Sequence, residues 1–389
     1  MNRREFCHKI TVVGGTIALA PLVKACKTEP VDPTQMLDLE ITPGSIPTNI
    51  PTTAPTSESI ITPTTGHTPT STMQDDSLQP QPTHAPTVAT DMAQVALVRS
   101  DNRADGTKRA IALLGLNPAR GNRVLLKPNF NSADQAPGST HPDVLRALIM
   151  EIYDMGARSI TVGDRSGMGN TRAVMEKIGV MDLAAELGFD TLVFDDLSEN
   201  DWTIRRSSDF HWSDGFAVPK ALLDAECVIQ TCNLKTHRYG GHFTLSLKNS
   251  VGLAAKTVGG GHDYMSELHG SPHQRLMIAE INEAYSPGLI VMDGVEAFVN
   301  GGPANGKKVP ANVVLAGTDR VALDAVGVAI LRLFGTTREV SQGMIFEQEQ
   351  IARAVELGLG VDSPQKIRFL TGDPESERFA SQVQQMLLL

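Results

Sequence analysis

The sequence predicts an α/β fold: a mostly parallel sheet or sheets flanked by helices, in one lobe or in two with a cleft between them, behind a disordered N-terminal segment. Three observations carry this. Short apolar runs alternate with amphipathic stretches from residue 91 onward. The stretch 140–156, lying between two such runs, forms a crossover helix of the kind that sets two strands parallel. The chain is also long enough to bury a sizeable core, with 389 residues of which 41% are hydrophobic and 20% charged.

In chain order, residues 1–26 read as a targeting signal and not as part of the fold. Arg3-Arg4-Glu5-Phe6 carries the paired arginines and the phenylalanine of a twin-arginine signal, and a weakly apolar stretch follows at 10–20, diluted by Gly14 and Gly15. Val23-Lys24-Ala25-Cys26 resembles a bacterial lipoprotein cleavage box, which makes Cys26 the residue to be lipidated. Lys24 is atypical in such a box, and Cys7 stands where the twin-arginine pattern prefers leucine; a plainly cleaved signal and an uncleaved anchor are the alternatives. The expected location is therefore extracytoplasmic, either as a lipoprotein on the outer face of the cytoplasmic membrane or as a secreted protein. The export machinery and, through Cys26, the membrane surface are the partners this implies.

Residues 27–90 hold 11 of the 23 prolines, are crowded with Thr and Ser, and show no apolar period. Such a segment cannot bury enough apolar surface to offset its ordering entropy, so it is expected to be a disordered spacer. The folded body is 91–389. Strands are expected at 94–99, 123–127, 158–163, 191–194, 227–231, 289–293, 312–316 and 366–370. Helices are expected at 140–156, 172–188, 272–285, 320–334 and 345–357. In the first of these, Thr140 or His141 caps, Pro142 suits the first turn, and Val144, Leu148, Ile152 and Met155 share one face. Gly156 ends it.

A formal charge of −10, from 34 Lys+Arg against 44 Asp+Glu, argues against a nucleic-acid binder held by a basic surface. Four cysteines exclude a disulfide-built scaffold. No apolar run in the body approaches the ~18 residues of a membrane-spanning helix.

Ligands of parallel α/β sheets bind beyond the carboxyl ends of the strands, and five polar clusters follow predicted strands. They are Lys127-Pro-Asn129-Phe-Asn131, Gly163-Asp164-Arg165-Ser166-Gly167, Asn233-Leu-Lys235-Thr-His237, Asp293-Gly294 and Gly317-Thr318-Asp319. On one edge they would form a cleft. Asp293 and Asp319 also suit plain turn or helix caps. The segment 233–273 holds five of the ten histidines beside Lys235, Arg238, Lys248 and Lys256, with the glycine pair 240–241 and the triplet 259–261 between them. Imidazole ligates metals and moves protons near neutral pH, lysine clamps anions or acts as a nucleophile when burial lowers its pKa, and glycine lets the backbone approach a ligand. No HExxH and no CxxC is present to name a metal. Cys227 and Cys232 lie five apart on a strand and its exit, face opposite sides and are poor disulfide partners. His211 and Trp212 suit the surface of a β-hairpin.

Lys127-Pro-Asn129, Thr140-His-Pro142, Gly163-Asp164, Leu234-Lys-Thr-His237, Leu247-Lys-Asn249, Gly252, Asp293-Gly294, Gly302-Pro303 and Thr318-Asp319 with Ala322-Leu-Asp324 together resemble the family called domain of unknown function 362 over residues 92–340. Many of its members carry ferredoxin-type cysteine clusters. This chain has only Cys227 and Cys232 in the body, so no iron–sulfur cluster is expected. The run from Lys235-Thr-His237 through Lys248 to Gly261-His262 is also similar to a segment of the nickel-pincer lactate racemase family. That resemblance implies proton transfer at His237, a pincer cofactor on Lys248 and a nickel ligand at His262. Thr236 stands where that family has proline.

Two functions of different class follow. In one, the chain is an exported enzyme doing acid–base or redox chemistry, with His237, Lys248 and Asp164 catalytic, Lys127, Asn129, Lys235 and Asn249 binding a small anionic substrate, and His262 with His237 holding a metal or metallo-organic cofactor. In the other, the same groups hold a small anion without turnover in a membrane-tethered binding lipoprotein.

Overall fold

In the computed structural model, which describes residues 92–389, the strands are β1 (Ala93–Arg99), β2 (Arg123–Lys127), β3 (Ser159–Asp164), β4 (Asp190–Val193), β5 (Trp202–Arg205), β6 (Phe216–Pro219), β7 (Cys227–His237), β8 (His242–Thr244), β9 (Pro287–Gly301), β10 (Gly306–Val309), β11 (Val313–Gly317) and β12 (Ile367–Leu370). The signal expected at 1–26, the spacer expected at 27–90 and Cys26 lie outside the described residues. Along the main sheet the order is β12-β1-β11-β9-β7-β2-β3-β4, with β10 paired to β9 and β8 to β7. Every neighbour on the main path is parallel except β11, which runs antiparallel to both β1 and β9. The fold is α/β with a mostly parallel sheet, and all described residues fall in one unit. β5 and β6 form a separate two-stranded ribbon.

Alternation along the strands divides the core between the two faces of the sheet. Val95, Leu97, Cys232, Leu234, Ile290, Met292 and Leu315 pack under the helix Arg320–Leu333 on one face. Ala96, Val98, Val124, Leu126, Ile229, Val291 and Val314 pack on the other, under the helices Arg103–Leu114 and Pro142–Asp154. In the latter helix, His141 caps by accepting the N–H of Asp143 at 3.1 Å, Pro142 occupies the first turn, and Val144, Leu148 and Ile152 are buried.

The structure departs from the sequence expectations in ways that matter for the site. β7 does not end at residue 231: it runs eleven residues to His237, all buried, including Gln230, Thr231, Asn233, Lys235 and His237. β9 likewise continues past Asp293 to Gly301. Because β11 is reversed, the cluster after it lies on the opposite sheet edge from the ends of β2, β3 and β7. The stretch 172–188 is two helices, Thr171–Ile178 and Val180–Leu187, broken at Gly179, whose φ of 87° is left-handed. Three helices of seven residues or more escaped the sequence reading, Arg103–Leu114, Tyr264–Gly270 and Pro374–Leu387. Trp212 is buried against Phe216 and Tyr264, not on a surface.

Candidate functional site

Beyond the carboxyl ends of β2, β3 and β7 lies a cavity of about 1170 Å³. Three of the five expected strand-end clusters line it: Lys127, Asn129 and Asn131 after β2; Asp164, Arg165 and Gly167 after β3; Lys235 and His237 at the end of β7. The other two are elsewhere. Asp293 sits inside β9, bonded to Arg103 Nε at 2.9 Å, and Asp319 caps the helix Arg320–Leu333 by accepting the N–H of Ala322 at 2.8 Å.

Local sequence explains how the roof of the cavity is built. After β7 the chain reverses through Arg238-Tyr-Gly-Gly241, with Gly240 at φ 76°, and β8 pairs His242 with His237. The short helix Ser246–Asn249 and the turn Ser250–Leu253 then return the chain over the strand ends, delivering Lys248, Asn249 and Gly252. Odd-numbered residues at the end of β7 face the cavity, while Cys232 and Leu234 face the core.

The floor is a connected polar network. Lys127 Nζ contacts Asp164 Oδ1 at 2.7 Å and donates to the carbonyl of Pro128 at 2.6 Å. Asp164 Oδ2 accepts the N–H of Phe130 at 2.7 Å, and Oδ1 accepts that of Arg165 at 2.7 Å. Asn129 Nδ2 donates to Asn249 Oδ1 at 3.1 Å, and Asn249 Nδ2 donates to Gln230 Oε1 at 2.9 Å. Lys235 Nζ donates to Asn129 Oδ1 at 2.8 Å and to the carbonyl of Gly138 at 2.5 Å. Burial pushes Lys127 down and Asp164 up, and their mutual contact opposes both shifts.

Three buried cationic side chains here have no carboxylate in ion-pair contact among the described residues. Lys235 has only neutral partners, and burial takes its pKa to about 7. Arg165 spends its guanidinium on the carbonyls of Ala254, Ser166 and Val251 and on Met265 Sδ. Lys248, 7% exposed, has no hydrogen-bond or ion-pair partner among the described residues, and burial first, then the Arg165 charge, brings it to about 8. Beside it, His237 has an Nδ1 that is buried without a partner. Burial, Lys248 and Lys235 hold this imidazole well below its usual range, so it is neutral at pH 7. The position a Cβ on Gly241 would take is 2.6 Å from Lys248 Cε and 3.0 Å from His237 Nδ1, so both groups converge over that glycine. A cavity with uncompensated buried cations and an unpartnered neutral imidazole is suited to an anion and to proton transfer beside it.

Lys127, Asn129, Asp164, Lys235, His237, Lys248 and Asn249 are thus brought together. His262 is not. It is exposed, its Nε2 is 2.5 Å from Glu267 Oε2, and it does not line the cavity. Among the described residues no group of three or more His, Cys, Asp or Glu side chains is placed to hold a metal ion. The donors present therefore do not fit a metal shared by His237 and His262. Arg165, His269, Gln274 and Arg275 also line the cavity. Arg165 had a signal in its position beside Asp164 at the end of β3; the rest sit on helices that fold over the cavity from a distance in sequence. No helix among the described residues is long and apolar enough to cross a membrane.

Comparison with known proteins bears on this site. A sequence profile of the family described as domain of unknown function (DUF362) matches residues 124–329, a span that contains every residue of the network. The chain is also 28% identical over 251 residues, 61% of its own length and 74% of the relative's, to the thylakoid-associated protein sll1697 of Synechocystis sp.. No solved structure matches.

Proposed function

The chain belongs to the DUF362 family, whose description assigns no activity, and we propose that this member is an enzyme whose cavity binds a small carboxylate- or phosphate-bearing molecule and performs acid–base chemistry on it. The observation that carries this is Lys248, a buried ammonium on the cavity wall with no counter-charge among the described residues. A bound anion supplies the missing partner and lifts the desolvation penalty of Lys248 and Lys235 together. Asn129, itself bonded to Asn249, holds the Lys235 ammonium in position, and neutral His237 takes a proton from the bound molecule. The unpartnered imidazole favours turnover over simple binding, since a passive anion site has no use for a neutral base.

The twin-arginine pair Arg3-Arg4 and Cys26 support an exported, membrane-tethered protein. The name of the Synechocystis relative, thylakoid-associated, supports a membrane surface as the working location.

Calorimetric titration of the full chain with inorganic phosphate and with malonate tests the anion reading. Binding of at least one, weakened by added salt and at least tenfold by Lys248→Met, is expected. Binding of neither overturns it.

A further inference from the structure

We propose that Lys248 is a covalent nucleophile, and that the substrate class of the cavity is an anion bearing an aldehyde or ketone which Lys248 Nζ captures as an imine. The inference rests on the anion reading above and narrows it. A purely electrostatic clamp is best built from a cation that stays charged and is held in place by hydrogen bonds, as Arg165 is by three carbonyls. Lys248 is built the other way. Its ammonium is buried in a cluster of like charges, next to Arg165 and Lys235, with no hydrogen bond holding Nζ and no carboxylate stabilising its charge among the described residues. These are the surroundings that ease loss of a proton from a lysine ammonium and leave the amine free to reach a ligand.

The neighbours divide the remaining work. Lys235, held on Asn129 and Gly138, is fixed where it can face the substrate's charge. His237 Nδ1 has no partner and lies over the same glycine as Lys248 Cε. In the step, the Nζ lone pair forms a bond to the carbonyl carbon, and the π pair moves to the oxygen. The two protons that Nζ loses end on that oxygen, relayed by His237 Nδ1, and the oxygen leaves as water. Amine and carbonyl thus give imine and water with no oxidant or reductant. Protonated at nitrogen by a proton from solvent, the imine becomes an iminium that withdraws electrons from the adjacent carbon, whose proton His237 is then placed to take.

Glyoxylate, the smallest anion with an aldehyde, is the probe. The full chain is incubated with glyoxylate and sodium borohydride, digested, and every lysine peptide is weighed. Stoichiometric carboxymethylation of Lys248, in excess over the exposed Lys177 and Lys220 and suppressed by malonate, is expected. If malonate binds by calorimetry while Lys248 is labelled no faster than Lys177 and Lys220, the covalent step is overturned and the anion cavity stands. If neither malonate nor phosphate binds, the cavity reading falls and takes the imine with it. The wild-type chain alone decides, so no variant need fold.

Discussion

Asp324 Oδ1 accepts the backbone N–H of Ser246 at 2.7 Å while its Oδ2 accepts that of Leu247 at 3.1 Å, so a buried carboxylate of the core helix caps the four-residue helix that carries Lys248 and Asn249. Ser246 Oγ adds a third donor to Oδ1. The cap couples the hydrophobic core to the roof of the cavity. In Asp324→Asn an amide N–H faces one of these donors, and a buried backbone N–H is left unpaired at a cost of about 1–3 kcal/mol. Urea denaturation should show that loss, and malonate affinity should fall with it because Lys248 is no longer held over the strand ends.

Lys248 itself should trade stability for function. Lowering its pKa from 10.5 to about 8 corresponds to a penalty on the order of 3 kcal/mol for the charged form at neutral pH. Lys248→Met, which keeps the stem and removes the charge, should therefore raise the unfolding free energy at pH 7 by about 1–3 kcal/mol even as anion binding is lost. The sign with pH follows. The folded pKa lies below the unfolded one, so the wild-type penalty is full below about 8 and fades as pH rises toward 10.5. The gap between variant and wild type should accordingly narrow between pH 7 and 9. A variant less stable than wild type at pH 7 would remove the claim that Lys248 is held against its own solvation.

Most of the framework was legible because it rests on local signals. The 142–154 helix announces its cap, its proline and its buried stripe within fifteen residues, and β2, β3 and β11 match their apolar runs to within a residue or two. The end of β7 was not legible. A polar run such as Asn233, Lys235, Thr236 and His237 reads as a loop unless a cavity is known to receive Lys235 and His237, and the cavity is a tertiary fact. The direction of β11 was hidden for the same reason: nothing local separates a parallel from an antiparallel strand, and with it went the expectation that Asp319 shares an edge with Asp164. His262 misled because a glycine-rich segment rich in histidine says that side chains can converge, not which ones do.

The N-terminal segment gives a separable prediction about location. Arg3→Lys with Arg4→Lys should leave uncleaved precursor in the cytoplasm, since the export route reads the arginine pair itself. Cys26→Ser should abolish lipid attachment without changing malonate affinity, because every cavity residue lies beyond residue 126. Cell fractionation with metabolic lipid labelling checks both, and membrane recovery of a mature, cleaved Cys26→Ser protein would refute the tether.

Two glycines allow the site and the fold to be separated. At Gly252 an added Cβ would fall 2.7 Å from Lys127 Nζ and 2.9 Å from its Cε, and against Asp164 Oδ1 as well. Both side chains are about 1% exposed and bonded on every side, so neither has room to yield. Gly252→Ala must pull a buried ion pair apart, and breaking such a pair costs about 3–5 kcal/mol when one partner is lost outright, so a fall of about 2–4 kcal/mol is expected here. At Gly241 the new Cβ would meet Lys248 Cε at 2.6 Å and Cδ at 3.0 Å, the end of an unanchored side chain beside an open cavity, which can swing aside. Gly241→Ala should therefore change the unfolding free energy by less than about 1 kcal/mol. It should nevertheless weaken malonate binding at least tenfold and slow borohydride trapping at Lys248, because Nζ and His237 Nδ1 are driven apart. If instead Gly241→Ala binds malonate as wild type does, the convergence of those two side chains over Gly241 is not what the anion requires, and the binding groups must be sought among Lys235, Arg165 and Arg275.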